Sequence, residues 1–343
     1  MKIRTIILSA AVAAGSLIGA YAGAYNVTVT CGEDADGAMA YLVNYDTGDK
    51  IDSVTVADSK AVFKGNLNDV AVARLIIDGQ RVAQFILEDG DIAVDAATRK
   101  VQGGKYNNLM NELKAQGDEI GLRYMKSDIS DISTNQAIYD EYNAFKNKCM
   151  IENLDNPIGY MYFLLQAYEM EPSEVEAMVE QHPSLKKYKR VEKLIQANKN
   201  KAATQPGSKF ADFEIEYDGA KHRLSDVVGK GQYVLVDFWA SWCGPCIRQT
   251  AVIKDLYNEY KDKGLKVLGV AVWDEPNDTK KAITQHGLEW ESWLNGQNTP
   301  TDIYGISGIP CIILFGPDGT ILSRDKQDED LKADVRAALE KAN

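Results

Sequence analysis

The chain has 343 residues, with 45% hydrophobic and 26% charged residues, the profile of soluble globular domains long enough for two or three separate cores. Its formal net charge of -12 argues against a nucleic-acid binder, which needs a basic face, and against electrostatic docking on anionic lipid.

The first 24 residues read as a secretory leader. Lys2 and Arg4 form a charged start, Ile6 to Ile18 is small and apolar, and Ala20-Tyr21-Ala22 or Ala22-Gly23-Ala24 offers a cleavage site. The apolar run is short for a membrane span, so an extracytoplasmic mature chain is expected, periplasmic or otherwise secreted. Such a compartment permits disulfides. The five cysteines, at 31, 149, 243, 246 and 311, leave at least one thiol without an intramolecular partner.

Residues 25–102 carry short alternating runs (YNVTVT, MAYLVNY, IDSVTV, AVFKG, RLIID, RVAQFILE, DIAVD) punctuated by Asp46-Thr47-Gly48-Asp49, by Gly79-Gln80 after Asp78, and by Asp89-Gly90. This predicts an antiparallel β domain, sandwich-like and built from hairpins. Residues 103–200 read as a helical segment, with Leu109, Leu113 and Ile120 near helical spacing and Asp155-Asn156-Pro157 opening an apolar helix. Ser173 to Glu176 reads as a capping box. The polar stretch 201–208 reads as a linker.

Residues 209–343 alternate strand and helix. YVLVDFWA (233–240) and LKVLGVAVW (265–273) are near-continuous apolar runs, as in strands covered on both faces. A helix follows Cys246, a second spans Thr279 to His286 with Asp278 as its cap, and a hairpin turns at Asp318-Gly319. A last helix carries Leu331, Val335 and Leu339. The expected architecture is a mixed sheet with helices on both faces.

Cys243 and Cys246 sit three apart where the first apolar strand gives way to a helix. Positions i and i+3 share a helix face, so the two thiols are within disulfide reach. A thiol at the helix tip meets free N–H groups and the positive end of the dipole, which stabilises a thiolate. Cys243 is thus the candidate nucleophile and Cys246, one turn deeper, the resolving thiol. Pro245 suits the first turn, where its missing N–H would be unpaired anyway. Asp237, inside the apolar run, is expected to be desolvated with a raised pKa, fit to act as the base for Cys246. A zinc site would need two further ligands at partner spacing; there is no second CxxC and no His pair, so no metal is expected.

VLVDFWASWCGPC followed by YGISGIPCIILF resembles the thioredoxin fold. More narrowly, it resembles the secreted thiol–disulfide oxidoreductases of the TlpA/ResA type, some of which serve cytochrome c biogenesis. The segment before it resembles the uncharacterised β-plus-helical region that precedes such domains in Bacteroidetes envelope proteins. The resemblance implies a cis Ile309–Pro310 peptide beside the cysteines, with the Ile309 backbone free to pair with an extended substrate strand. It also implies that Trp242, Gly244 and Pro245 belong to a docking surface. It further implies disulfide-containing client proteins, a membrane electron donor of the DsbD/CcdA kind, and no cofactor. Gly-Pro between the cysteines resembles the reducing members, whereas an oxidase or isomerase would use the same residues. A non-catalytic envelope binding protein that uses the fold for docking is the rival from another class. Three departures stand out: no proline in IRQTAV, Gln249 where a glutamate is usual, and Cys311 in place of Thr. Cys311 reads as a small buried residue behaving as a hydrophobe.

Overall fold

The computed structural model describes residues 23–340. The leader expected over 1–24 lies outside the described residues, apart from Gly23 and Ala24, which open the first strand. The chain divides into two compact units, one ending at Arg190 and one beginning at Val191.

The N-terminal unit starts with eight strands: β1 (Gly23–Thr30), β2 (Met39–Asn44), β3 (Lys50–Thr55), β4 (Lys60–Leu67), β5 (Ala71–Ile77), β6 (Gln80–Leu87), β7 (Gly90–Asp95) and β8 (Val101–Gln102). They form two four-stranded sheets, β4-β1-β7-β8 and β3-β2-β5-β6. Val27, Val29, Phe63 and Ile92 of the first sheet share one core with Leu42, Leu75, Phe85 and Leu87 of the second, which makes the expected sandwich. The β5–β6 hairpin closes through Asp78 and Gly79, both at positive φ (48° and 73°), as a two-residue turn of this handedness requires. Asp89-Gly90 is not a hairpin turn. It carries the chain from β6 in one sheet to β7 in the other, where β7 runs parallel to β1, so the unit is not wholly antiparallel.

Four helices follow: α1 (Lys105–Lys126), α2 (Ile132–Ile151), α3 (Pro157–Ala167) and α4 (Pro172–Gln181). Asn156 caps α3 by accepting the Ile158 N–H at 2.9 Å, with Pro157 at the first position as expected. The cap of α4 lies earlier than the SEVE reading: Glu171 is the N-cap, its N–H donating to Glu174 at 3.0 Å, because Pro172 takes the first helical position. The α1 start is built around two buried polar residues. Glu88 accepts the N–H groups of Tyr106 and Asn107 at 2.9 and 3.0 Å. Asn107 accepts the Ile86 N–H at 2.9 Å and donates to the Ile86 carbonyl at 2.7 Å, satisfying the edge of β6 as another strand would.

α5 (Lys189–Ala203) starts at the end of the first unit and runs into the second, taking in residues 201–203 of the stretch expected as a linker. Residues 204–208 are bonded into the unit rather than free. Arg324, 6% exposed, donates to the carbonyls of Thr204 and Tyr304 at 3.0 and 2.7 Å, and the Gly207 N–H donates to Ile321 at 2.8 Å. A small hairpin, β9 (Glu214–Tyr217) and β10 (Ala220–Arg223), precedes β11 (Tyr233–Trp239), α6 (Gly244–Tyr260), β12 (Leu265–Ala271), α7 (Pro276–His286), β13 (Glu291–Trp293), α8 (Thr299–Tyr304), β14 (Cys311–Phe315), β15 (Ile321–Arg324) and α9 (Asp328–Glu340). The five-stranded sheet has the order β13-β12-β11-β14-β15, with β14 antiparallel to the central β11 and β12 parallel to it, the expected thioredoxin-like arrangement. α7 starts three residues before the expected Thr279, because Pro276 opens it after Glu275.

β11 is buried on both faces. Val234, Val236 and Phe238 enter one apolar layer; Leu235 and Trp239 enter the other, with Cys243, Cys246, Ile253 of α6 and Val335 of α9. Strand alternation places Asp237 on that second face.

Truncating Asn107 to Ala leaves a buried N–H and C=O of β6 unpaired and should cost roughly 2–4 kcal/mol. The check is the urea midpoint of far-ultraviolet circular dichroism; a loss under about 1 kcal/mol would remove Asn107 as the partner of that edge.

Candidate redox site

The strand-to-helix junction sets the site. Cys243 is the N-cap of α6, and the Cys246 N–H points at its sulfur at 3.2 Å. The two cysteines form a disulfide, S–S 2.07 Å, with α-carbons 5.2 Å apart. Trp242, just before the pair, is 62% exposed, while Cys243 and Cys246 are 4% and 0% exposed. Gly244 and Pro245 are exposed beside Trp242.

Ile309–Pro310 is cis, and the Ile309 carbonyl oxygen lies 3.8 Å from the Cys243 sulfur. The chain thus brings Cys243, Cys246, Ile309 and Pro310 together from positions over sixty residues apart, with Trp242, Gly244 and Pro245 on the rim.

Asp237 is fully buried on β11, between Gly269 of β12 and Ile312 of β14. Its Oδ1 has no hydrogen-bond partner. Burial alone pushes its carboxyl up to about 7. Gly269 leaves the neighbouring position on this face open, and the indoles of Trp239 and Trp290 fill that space. A carboxyl in such surroundings takes and releases a proton near neutral pH.

Two residues of the site carry no obvious mark in the sequence. Asp274, 6% exposed, accepts from the Ser241 N–H and hydroxyl (2.7 and 2.9 Å) and from the Thr279 hydroxyl (2.7 Å), tying the loop before Cys243 to the first turn of α7. The Trp273 carbonyl accepts the Trp242 indole N–H at 2.9 Å and so holds that exposed ring. A cavity of about 360 Å³ lies alongside, walled by Ser241, both indoles and the Asp274 to Asp278 turn. The only local clue was Asp274 two residues ahead of Pro276, a helix-start pattern.

Gln249, where the resembled family commonly has glutamate, is buried and exchanges two hydrogen bonds with Asp328 at the head of α9: its amide donates at 2.7 Å and its oxygen accepts the Asp328 N–H at 3.1 Å. Cys311 is buried behind the site. Burial and the nearby Asp325 raise its pKa well above the ordinary thiol value, so it packs as a neutral side chain. Cys31 and Cys149 are free thiols, not a disulfide.

Residues 206–324 match the AhpC/TSA family, and residues 25–110 match a domain of unknown function (DUF4369). The C-terminal unit is similar to the thiol-disulfide oxidoreductase ResA of Geobacillus thermodenitrificans, 31% identical over 136 residues, which covers 38% of this chain and 77% of the relative. The ResA of Geobacillus kaustophilus is 32% identical over 122 residues, covering 35% of this chain and 69% of the relative. Among solved structures, the thioredoxin domain of a thiol-disulfide oxidoreductase from Bacteroides vulgatus is 34% identical, spanning 39% of this chain and 97% of that one, with a TM-score of 0.36.

The buried carboxyl predicts a pH signature. Native Asp237 keeps its proton up to about 7, whereas an unfolded Asp loses it near ~3.9. Across that window the unfolded chain binds fewer protons, so wild-type stability falls as pH rises, and the loss is complete above the native pKa. An oxidised Asp237→Asn variant lacks this fall. Its melting temperature relative to wild type should climb between about pH 4.5 and about pH 8; a constant difference would place the native carboxyl at an ordinary pKa.

Proposed function

This chain belongs to the ResA family of thiol–disulfide oxidoreductases, and we propose that it reduces disulfides of client proteins outside the cytoplasm through Cys243 and Cys246. The thiolate of Cys243 attacks one sulfur of the client disulfide. That S–S bond breaks, a mixed disulfide forms, and the departing client sulfur takes a proton. Cys246 then gives its proton to Asp237 and attacks the Cys243 sulfur. The product is the internal disulfide and a client with two thiols.

The observation that carries this reading is the junction of β11 and α6: the Cys246 amide faces the Cys243 sulfur, with the Asp237 carboxyl, whose Oδ1 has no hydrogen-bond partner, buried on the same face of the sheet. The first-turn amides favour the thiolate of Cys243 over the thiol. Asp237, with its pKa near 7, is poised to take the second proton. Trp242, Gly244 and Pro245 offer the exposed ground on which a client strand lies, against the backbone of Ile309 and Pro310. The compartment follows from the leader-like residues 1–24, and the spent disulfide is returned to the dithiol by a membrane donor of the DsbD/CcdA kind, which supplies two electrons. Among the described residues no helix is long and apolar enough to cross a membrane.

The test is insulin reduction with dithiothreitol as electron source. Cys243→Ser should abolish turnover, and Cys246→Ser should accumulate a mixed disulfide with the client. Asp237→Asn should slow resolution roughly a hundredfold at neutral pH and erase the rise in its rate through about pH 7. Wild-type turnover no faster than that of Cys243→Ser would sink the assignment. A potential well above that of the glutathione pool would reverse the direction while keeping the residues.

A further inference from the structure

The N-terminal unit holds a cavity of about 520 Å³, within the size range of small-molecule sites. Leu113 of α1, Phe145 of α2 and Met161 and Leu165 of α3 give it an apolar wall. Tyr45, just after β2, and Arg190 form its polar end.

That end carries an unusual charge arrangement. The guanidiniums of Arg74 and Arg190 both stack on the Tyr45 ring, 4.5 and 4.4 Å from its centroid. Arg190 donates from Nε to the Tyr45 carbonyl at 2.6 Å, and Arg74 from Nε to Gln84 at 3.2 Å; Gln84 also lines the cavity. Among the described residues neither guanidinium forms an ion pair with a carboxylate. The nearby carboxylate of Asp46 is taken up by the Tyr160 hydroxyl and the backbone N–H groups of Lys189 and Arg190, at 2.8, 2.7 and 2.9 Å. The other two charges on the wall, Lys114 and Asp118, neutralise each other at 2.6 Å. Two half-buried like charges thus share one ring in a chain of net charge -12, with the Asp46 carboxylate nearby but no direct ion pair to either guanidinium. Burial and the neighbouring Arg190 lower the Arg74 pKa, the sign of a repulsion that an anion would relieve.

We infer that this cavity binds a small amphiphilic anion, its apolar body among the residues of α1, α2 and α3 and its acidic group on Arg190, where Arg74, stacked on the same Tyr45 ring, adds positive charge. Aromatic and methionine walls accommodate an apolar body of variable shape, and the planar guanidinium forks match a carboxylate, sulfonate or phosphate. The pair is not explained by the stacking on Tyr45, since one arginine would satisfy that ring and the second adds repulsion.

The probe is sodium laurate, titrated calorimetrically into the full chain below its micelle concentration, with dodecyltrimethylammonium as the same tail bearing a cation. Laurate should bind saturably at one per chain, and the cation at least tenfold more weakly. Arg190→Gln and Arg74→Gln should each weaken laurate by tenfold or more. Gly117→Met, which pushes a side chain towards Phe145, whose ring lies 3.2 Å from the position of a Cβ, should abolish binding of either amphiphile. Circular dichroism and insulin reduction by the unaltered cysteine pair report whether each variant is folded. No saturable heat with laurate, equal affinity for the two headgroups, or full affinity in folded Arg190→Gln and Arg74→Gln overturns the inference. None of these results bears on the thiol chemistry.

Discussion

The chemistry of the C-terminal unit depends on one hydrogen bond, from the Cys246 amide to the sulfur of Cys243. It exists because a strand buried on both faces ends one short turn before a helix begins. The strand fixes where the chain emerges, and the helix supplies N–H groups that have no carbonyl to bind within the helix. A negatively charged sulfur satisfies such a donor better than a neutral one, so the preference for thiolate is a property of the backbone path. The side chain needs only to be a cysteine at the cap, with a second one turn on.

Burial of Asp237 follows from the same geometry. Alternation along β11 sends every second residue to the α6 side, so a carboxyl three positions after Val234 must face the helix that carries the cysteines. Nothing there hydrogen-bonds its Oδ1. A structural acid would be expected to hold backbone donors, as Glu88 does at the head of α1 and Asp274 does beside Ser241. The contrast among these three acids is the ground for the proposed proton exchange at Asp237.

What was legible in the sequence is what local pattern encodes. The apolar runs of β11 and β12 announced their double burial, the glycine after Asp78 announced a tight hairpin although its turn falls one residue earlier than the expected Gly79-Gln80, and CGPC announced its own helix start. Asp89-Gly90 carried the same turn signal yet moves the chain between sheets, because the choice rests on the pairing of β7 with β1, some sixty residues earlier. The residues that were missed have distant partners. Asn107 completes a strand edge 21 residues away, and Asp274 holds Ser241 across 33. The linker reading failed for a related reason: a polar stretch is tied down by Arg324, which lies 120 residues on. Composition describes how a segment meets water and is silent about a buried guanidinium that seeks its carbonyls.

The two units also share a physical logic. In each, a charged or chargeable group stands beside apolar material without the partner that ordinary stability would select: Asp237 beneath the cysteines, and the arginine pair on Tyr45. Several other charged groups are matched closely, although the buried Tyr188 hydroxyl also lacks a hydrogen-bond partner. Arg324 reaches two carbonyls, Asp46 accepts three donors, and Lys114 meets Asp118. A fold able to compensate those charges had the means to compensate these, so the incomplete sites mark where a proton or a ligand finishes the arrangement. In the readings proposed above, the partner missing from Asp237 is the proton released by Cys246, and the one missing from Arg190 is an anion from solution.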